Sequence, residues 1–305
     1  MTQSLISKKL RPTDFGYSLR NHGLDSLIQK AYREQYALPA FNFWTFEDAE
    51  TIIKTAARLQ SPVVVMLSAS GAQHLGYRVA HAIVDELADV YEVPVVLHLD
   101  HCESVTECYK AMRHGFTSVM YDGSGLDVEA NISNTLRVLD VARSLDCSVE
   151  AEIGRIGRGE EGQDIAQVIT QPAAAQYFYE KTGVDALAIA VGTVHGMQTQ
   201  QAEIRFDVVE KISELVKVPL VLHGSSGVRD EDFNRLVKTG ISKINIGTKL
   251  RDTFVASCRE KLIADSTLRN HLKLFSSVSE KVAAVVAEKI RLLGAQNKAF
   301  SIKID

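Results

Sequence analysis

The sequence predicts an α/β chain closed into a (β/α)8 barrel. Three observations predict it: eight short runs rich in Val, Ile and Leu, amphipathic stretches between them, and polar residues gathered where the runs end. The runs are LPAFNF (38–43), PVVVML (62–67), VPVVLHLD (93–100) and SVMYDG (118–123), then SVEAEIG (148–154), ALAIAVG (186–192), PLVLHG (219–224) and KINIGT (243–248). Runs this apolar suit parallel strands covered on both faces. TFEDAETIIKTAARLQ, YRVAHAIVDELADVY, SVTECYKAMRHG and DEDFNRLVKTG carry the helical spacing, and several open with Ser, Thr or Asp before an acidic residue, which is N-terminal capping chemistry. Eight right-handed β/α units close on themselves, so the architecture is a TIM barrel. Its additions are an irregular arm over residues 1–20, a helix over 21–36 closing the bottom, and C-terminal helices within 249–305 (KLRDTFVASCREKL, then SVSEKVAAVVAEKIRLLG). The whole chain, 1–305, reads as one domain.

Bulk properties narrow the function. Of 305 residues, 46% are hydrophobic and 24% charged, as in an ordinary globular enzyme. A net charge of −4 gives no electrostatic footprint for nucleic acid or an anionic membrane. The polar start MTQSLISKKLRPTD has no apolar segment of a secretory signal, and no run approaches the roughly 18 apolar residues that span a bilayer. Cys102, Cys108, Cys147 and Cys258 form no C-x-x-C pair, which fits buried free thiols in a reducing cytoplasm.

The strand ends hold the chemistry, because a barrel builds its active site there. The third run ends in His98-Leu99-Asp100-His101, the sixth leads to His195, and the seventh ends in His223. A single strand-end histidine is commonly just a hydrogen-bonded polar residue. Three on one rim form a zinc set with an open fourth position, the pattern of a catalytic rather than a structural site. His101, His195 and His223 are therefore the expected metal ligands. Alternation places His98 deeper on the same side as Asp100, as a satisfied core residue. His22, His74, His81, His114 and His271 fall in the arm, helices or loops and take no role. Asp100, beside a cation-holding His101, is the expected proton-transfer carboxylate; the alternative is a group that merely orients a ligand histidine. Glu150 and Lys243 face inward below the rim as an expected buried ion pair. Gly224-Ser225-Ser226-Gly227 and Asn245-Ile246-Gly247-Thr248 follow the last two strands, where barrels bind phosphate through backbone N–H groups and a helix N-terminus.

These residues resemble the class II ketose-bisphosphate aldolases. The motifs HLDH, SVM-x-D, SVEAE-x-G, G-T-x-HG, PLVLHG-x-SG and KIN-x-x-T occur in that family's order from Ala37 to the C-terminal helices, and the tagatose-bisphosphate type is the most similar. The resemblance implies a catalytic Zn2+ on His101, His195 and His223, and Asp100 as the acid/base on the hydroxyl of the cleaved bond. It implies that Asp122 and Glu152 hold a second or displaced divalent metal. It places dihydroxyacetone phosphate at Gly196, Gly224, Ser226, Asn245 and Thr248, with further contacts at Asn42 and Ser68 and a monovalent cation (Na+ or K+) near His195 and His223.

One segment departs from the family. The loop after the fifth run reads Gly157-Arg158-Gly159-Glu160-Glu161-Gly162, with Arg158 in place of a glycine and Glu161 in place of Asp. Glu160 falls at the position of the glutamate that shuttles the carbon-bound proton. Arg158 is a solvated loop arginine or a contact for a carboxylate or distal phosphate. The implied reaction is reversible cleavage of tagatose or fructose 1,6-bisphosphate to dihydroxyacetone phosphate and an aldehyde; the long C-terminal helices suggest a homodimer or homotetramer. The alternatives are a phosphorylated deoxy-keto-gluconate or other sugar-acid phosphate as substrate, a barrel metallohydrolase, a Schiff-base enzyme using Lys243, or a non-catalytic scaffold subunit.

Overall fold

All eight expected runs form strands, and they close on themselves. The computed structural model describes residue 19 and residues 23–160, 163–165 and 167–299; of 158–160 and 163–165 it describes the backbone. The barrel strands are β1 (Leu38–Asn42), β2 (Val63–Ser68), β3 (Val95–Cys102), β4 (Ser118–Tyr121), β5 (Ser148–Ile153), β8 (Ala186–Ile189), β10 (Leu220–Leu222) and β11 (Ile241–Ile246). They are hydrogen-bonded in the closed order β1-β11-β10-β8-β5-β4-β3-β2, every pair parallel. Barrel strands are buried inside by their own side chains and outside by helices, so β2 (VVVMLS) and β11 (ISKINI) are covered on both faces.

The helices begin where the capping chemistry lies. Thr45 caps α2 (Phe46–Arg58): its Oγ1 accepts the Asp48 N–H at 3.2 Å, and the Asp48 carboxylate accepts the Thr45 N–H at 3.2 Å. Ser104 caps α5 (Val105–Arg113), and Asp127 caps α6 (Val128–Ser144). In α9 (Asp230–Lys238), Asp230 lies inside the first turn, not at the cap, and interacts favourably with the positive end of the helix. One short helix escapes sequence periodicity: α3 (Ala69–Leu75) is a seven-residue segment whose cap is Ser68, the last residue of β2.

The two ends of the barrel are closed differently. α1 (Leu24–Glu34) buries Leu24, Leu27, Ile28 and Ala31, and its Asp25 N–H donates to Ser148 Oγ at the start of β5 (3.0 Å), so it plugs the N-terminal face as expected. Apart from Leu19, which is buried, the arm expected over 1–20 lies outside the described residues. At the other terminus α10 (Thr248–Ala264) and α11 (His271–Leu292) pack on each other, and α11 packs on α2. α11 starts six residues before the expected Ser277, because Asn270 caps it by accepting the Leu272 and Lys273 N–H groups. Residues 300–305 lie outside the described residues. No helix among the described residues is long and apolar enough to cross a membrane.

On the C-terminal face the loops build a small sheet of their own. β6 (Gly157–Glu160) and β7 (Gln163–Ile165) form an antiparallel pair, and β6 also pairs in parallel with β9 (Val194–His195). His195 therefore belongs to this loop-borne sheet and not to the end of a barrel strand, which corrects the expected placement. Four consecutive non-strand residues, Ala190–Thr193, separate it from β8 and let the chain turn back over the barrel mouth.

Candidate active site

The floor of the site is a buried charge network. Lys243 and Glu150 are both fully buried, with Nζ to Oε2 at 2.9 Å, so the expected ion pair forms. Glu150 does more than neutralise the lysine: its Oε1 accepts from His223 Nε2 at 2.8 Å. Burial alone would raise the Glu150 pKa, but Lys243 and the His223 hydrogen bond outweigh it and hold the carboxyl well below the usual range. His98 is buried beside them. Its Nδ1 bonds Ser118 Oγ at 2.7 Å, whereas Nε2 makes no hydrogen bond among the described residues, so the satisfied-core expectation holds for one ring nitrogen of two. Burial and Lys243 push its pKa down to about 3, which keeps it neutral.

Above this floor the three expected histidines converge. The ring centroids of His101 lie 4.8 Å from His195 and 4.5 Å from His223, and one ligand atom from each of the three falls within 4.8 Å of the others. The outer nitrogens of two of them are committed. His101 Nδ1 faces Asp122 Oδ2 at 2.9 Å and His223 Nε2 faces Glu150, and an ionised carboxylate can only accept, so both of those nitrogens donate. The remaining nitrogens, His101 Nε2 and His223 Nδ1, then point at each other across 2.8 Å. In neutral rings that is lone pair against lone pair, relieved by a shared proton, a bound cation or, for His223 Nδ1, the Asn245 Nδ2 amide 3.2 Å away. A donor set of three imidazoles, two of them anchored by carboxylates, is what a catalytic zinc ion takes.

His101 sits at φ +44, at the register shift between Leu99 and Cys102 in the β3–β4 pairing, and this bend within β3 sets the ring beside His195 and His223. Burial would lower its pKa, but Asp100, Asp122 and Glu152 outweigh that and raise it to about 9. Asp122 is held in turn by the Ser124 hydroxyl and N–H, at 2.6 and 3.2 Å. Glu152 accepts the Ile156 N–H at 3.2 Å and places Oε2 3.9 Å from His101 Nδ1. His101, Asp122 and Glu152 thus form a second cluster of donors that shares His101 with the first.

Asp100 is almost completely buried, and both of its oxygens are taken by amides. Asn42 Nδ2 donates to Oδ2 at 2.9 Å and Asn245 Nδ2 donates to Oδ1 at 3.0 Å. Burial would raise its pKa, but His101, His223 and Lys243 pull it below the usual carboxylate range, so it is ionised and ready to accept a proton. Asn42 owes its place to a glycine. A Cβ at Gly247 would lie 2.5 Å from Asn42 Oδ1, so a larger residue would displace the amide from Asp100.

A cleft of about 880 Å³ opens over these groups. Asn42, Ser68, Asp100, His101, His195, Gly224, Ser225, Ser226 and Asn245–Thr248 all line it. Gly196 does not, although its neighbours His195 and Met197 do. Ser225 also differs from expectation: its hydroxyl donates to the Asn245 carbonyl, so it offers the cleft no free hydroxyl proton. The Ser68 hydroxyl caps α3 through the Gly71 N–H. Gly224, at φ +66, brings the strand-end loop against β9: a Cβ there would meet the Val194 backbone at 3.0 Å. That close approach sets His195 beside His223. α10 starts in the cleft wall with Gly247 as its cap and no side-chain cap bond, so no side chain at the cap takes up its first amides. Sequence reasoning missed Trp44, Lys249, Arg251 and Lys289 in the cleft wall, since they come from loop and helix positions with no motif of their own. The Glu160 backbone lies on β6, beside the His195 strand, with Arg158 in register with His195; its side chain lies outside the described residues, as do Glu161 and Gly162.

Residues 22–298 match the family described as class II fructose-bisphosphate aldolase. The chain belongs to that family. This aldolase is 36% identical over 278 residues to the sulfofructosephosphate aldolase of Alkalicoccus urumqiensis, a match covering 90% of this chain and 96% of that protein. Among solved structures it is similar to the YdjI aldolase from Escherichia coli K12, with TM-score 0.80 and 32% identity over 92% of this chain and 99% of that one. It also resembles a fructose-1,6-bisphosphate aldolase, so named provisionally, from Coccidioides immitis, with TM-score 0.82 and 26% identity over 90% and 96% of the two chains. The aldolase is a lyase, and the metallohydrolase and scaffold alternatives give way to that.

Proposed function

We propose that this aldolase reversibly cleaves a phosphorylated ketose to dihydroxyacetone phosphate and an aldehyde, with a zinc ion on His101, His195 and His223. One observation carries the reading: the opposed nitrogens of His101 and His223, with an ionised, doubly held Asp100 beside them, at the base of an open cleft. The chemistry zinc supplies when bound is Lewis-acid polarisation of the ketose carbonyl. Asp100 takes the proton from the C4 hydroxyl as the C3–C4 bond breaks. Glu160 returns a proton to C3 of the enediolate, from a hairpin that joins the His195 strand and helps exclude water. Gly224, Ser226, Gly247 and Thr248 hold the phosphate with backbone amides and the α10 N-terminus. Asp122 and Glu152, next to His101, can hold a second divalent ion, and the backbone around His195 and Gly224 can carry a monovalent cation. The protein works as a cytoplasmic homodimer or homotetramer.

Tagatose or fructose 1,6-bisphosphate is the first substrate reading. A sulfofructose phosphate is the second, favoured by the 36% identity to an enzyme named for it. The cleft wall at and near the α10 N-terminus carries Lys249, Arg251 and Lys289 among the carboxylates Asp230, Asp252 and Glu288, and these cations suit a phosphate, sulfonate or carboxylate. A coupled assay for dihydroxyacetone phosphate tests this on zinc-loaded protein, with both bisphosphates, the sulfofructose phosphate and a phosphorylated deoxy-keto-gluconate offered in parallel. Release from one of them, abolished by a chelator, is expected. Release from none rejects the substrate readings.

A further inference from the structure

Two groups central to the proposed reaction, His223 and Asp100, are each oriented by a chain of hydrogen bonds, and both chains end on one ammonium group. Lys243 Nζ donates to Glu150 Oε2 at 2.9 Å, and Glu150 Oε1 accepts from His223 Nε2 at 2.8 Å. Lys243 Nζ also donates to Asn245 Oδ1 at 2.8 Å, and Asn245 Nδ2 donates to Asp100 Oδ1 at 3.0 Å. Lysine can only donate, so it decides which way the Asn245 amide faces. With Oδ1 held by Lys243, the NH2 group must face Asp100. Turned over, the amide would set its NH2 against the ammonium and its carbonyl against a carboxylate. The same ammonium takes Glu150 Oε2 and turns Glu150 Oε1 toward His223 Nε2 as its acceptor, which leaves His223 Nδ1 toward the centre of the cluster, 3.2 Å from Asn245 Nδ2. The seven bonding atoms belong to residues no more than 6% exposed, so solvent is a poor substitute for a lost partner.

We infer that Lys243 is a positioning residue with two arms: through Glu150 it sets the ring tautomer of a metal ligand, and through Asn245 it sets the carboxylate that moves the hydroxyl proton. The inference rests on the proposed roles of His223 and Asp100. It gives the buried lysine a purpose beyond neutralising Glu150, and it makes Asn245 an orienting amide as well as a cleft wall.

The two arms can be cut separately. In Lys243→Met both are lost, while in the double variant Lys243→Met/Glu150→Gln the glutamine carbonyl can still accept from His223 Nε2. Zinc affinity is read by competition with a chromophoric chelator. Cleavage is read as kcat and KM, and exchange of the C3 proton of dihydroxyacetone phosphate with solvent is read by NMR. Lys243→Met is expected to bind zinc about 10- to 100-fold more weakly. The double variant is expected to recover zinc affinity and to exchange the C3 proton, yet to cleave about 100-fold more slowly with little change in KM. That split separates Asp100 misorientation from a general loss of structure. If Lys243→Met does not fold, the double variant, with no unpaired charge, decides alone. Parental kcat in the double variant, or parental zinc affinity and kcat in Lys243→Met, overturns the inference. Parental protein that binds no zinc overturns it together with the functional reading, and that control tells the two failures apart.

Discussion

The site has two halves that are held by different means. Asp100, His101, His223 and Asn245 stand on or just beyond barrel strands, and each is locked by buried hydrogen bonds to carboxylates, amides or Lys243. His195 and Glu160 stand instead on β9 and β6, a loop-borne sheet joined to the barrel by connecting segments. The strand-borne half is preorganised at the cost of burying charge. The loop-borne half is placed by a backbone ladder. The difference implies that the strand half carries stability and chemistry together, whereas the loop half carries chemistry with little stability.

Substitutions can break that comparison. The largest effect is expected at Asp100: Asp100→Asn should lower kcat for cleavage about 10³-fold, because it removes the acceptor of the hydroxyl proton. Steady-state kinetics against the best substrate measures it. Next is Glu150→Gln, which leaves Lys243 as a buried, poorly paired cation. Denaturant unfolding should show a loss of about 3–5 kcal/mol. Full stability in that variant would mean that the network contributes nothing to the strand half. Glu160→Gln should do the reverse, slowing C3 proton exchange about 100-fold while the melting temperature stays at the parental value. A large loss of stability there would erase the distinction between the halves.

The last expected effect is a pH dependence. His101 in the folded chain titrates near 9, above its ordinary 6.5, because of the carboxylates around it. Protonated His101 therefore stabilises the metal-free protein fully below pH 6.5, and that contribution is lost as pH rises through 9. Zinc must displace the same proton, so its apparent affinity should tighten about tenfold per pH unit across that window. Chelator competition at several pH values checks the slope.

Much of the strand half was legible in the sequence because strand chemistry is periodic. Val-rich runs announced the barrel, alternation along LHLDH put His98 and Asp100 on one side, and the same alternation aimed Glu150 and Lys243 at each other. The contacts of those residues were less legible. That Glu150 would also hold His223, and that two asparagines would clamp Asp100, depends on register between strands far apart in sequence. The loop half was legible only as motif. Nothing in Thr193-Val194-His195 signals a two-residue strand, and the ladder to β6 forms only because Gly224 lets β9 lie against the neighbouring loop. The early start of α11 went unseen because one asparagine cap decides it.

The most direct test of the proposed chemistry uses dihydroxyacetone phosphate alone. The protein is incubated with it in D2O, and loss of one C3 proton is followed by NMR with and without a chelator. Exchange that stops on chelation, returns with zinc and is accompanied by no borohydride-trapped adduct is the expected result. Exchange that survives chelation, with borohydride trapping the substrate on Lys243, would contradict it and identify a Schiff-base enzyme.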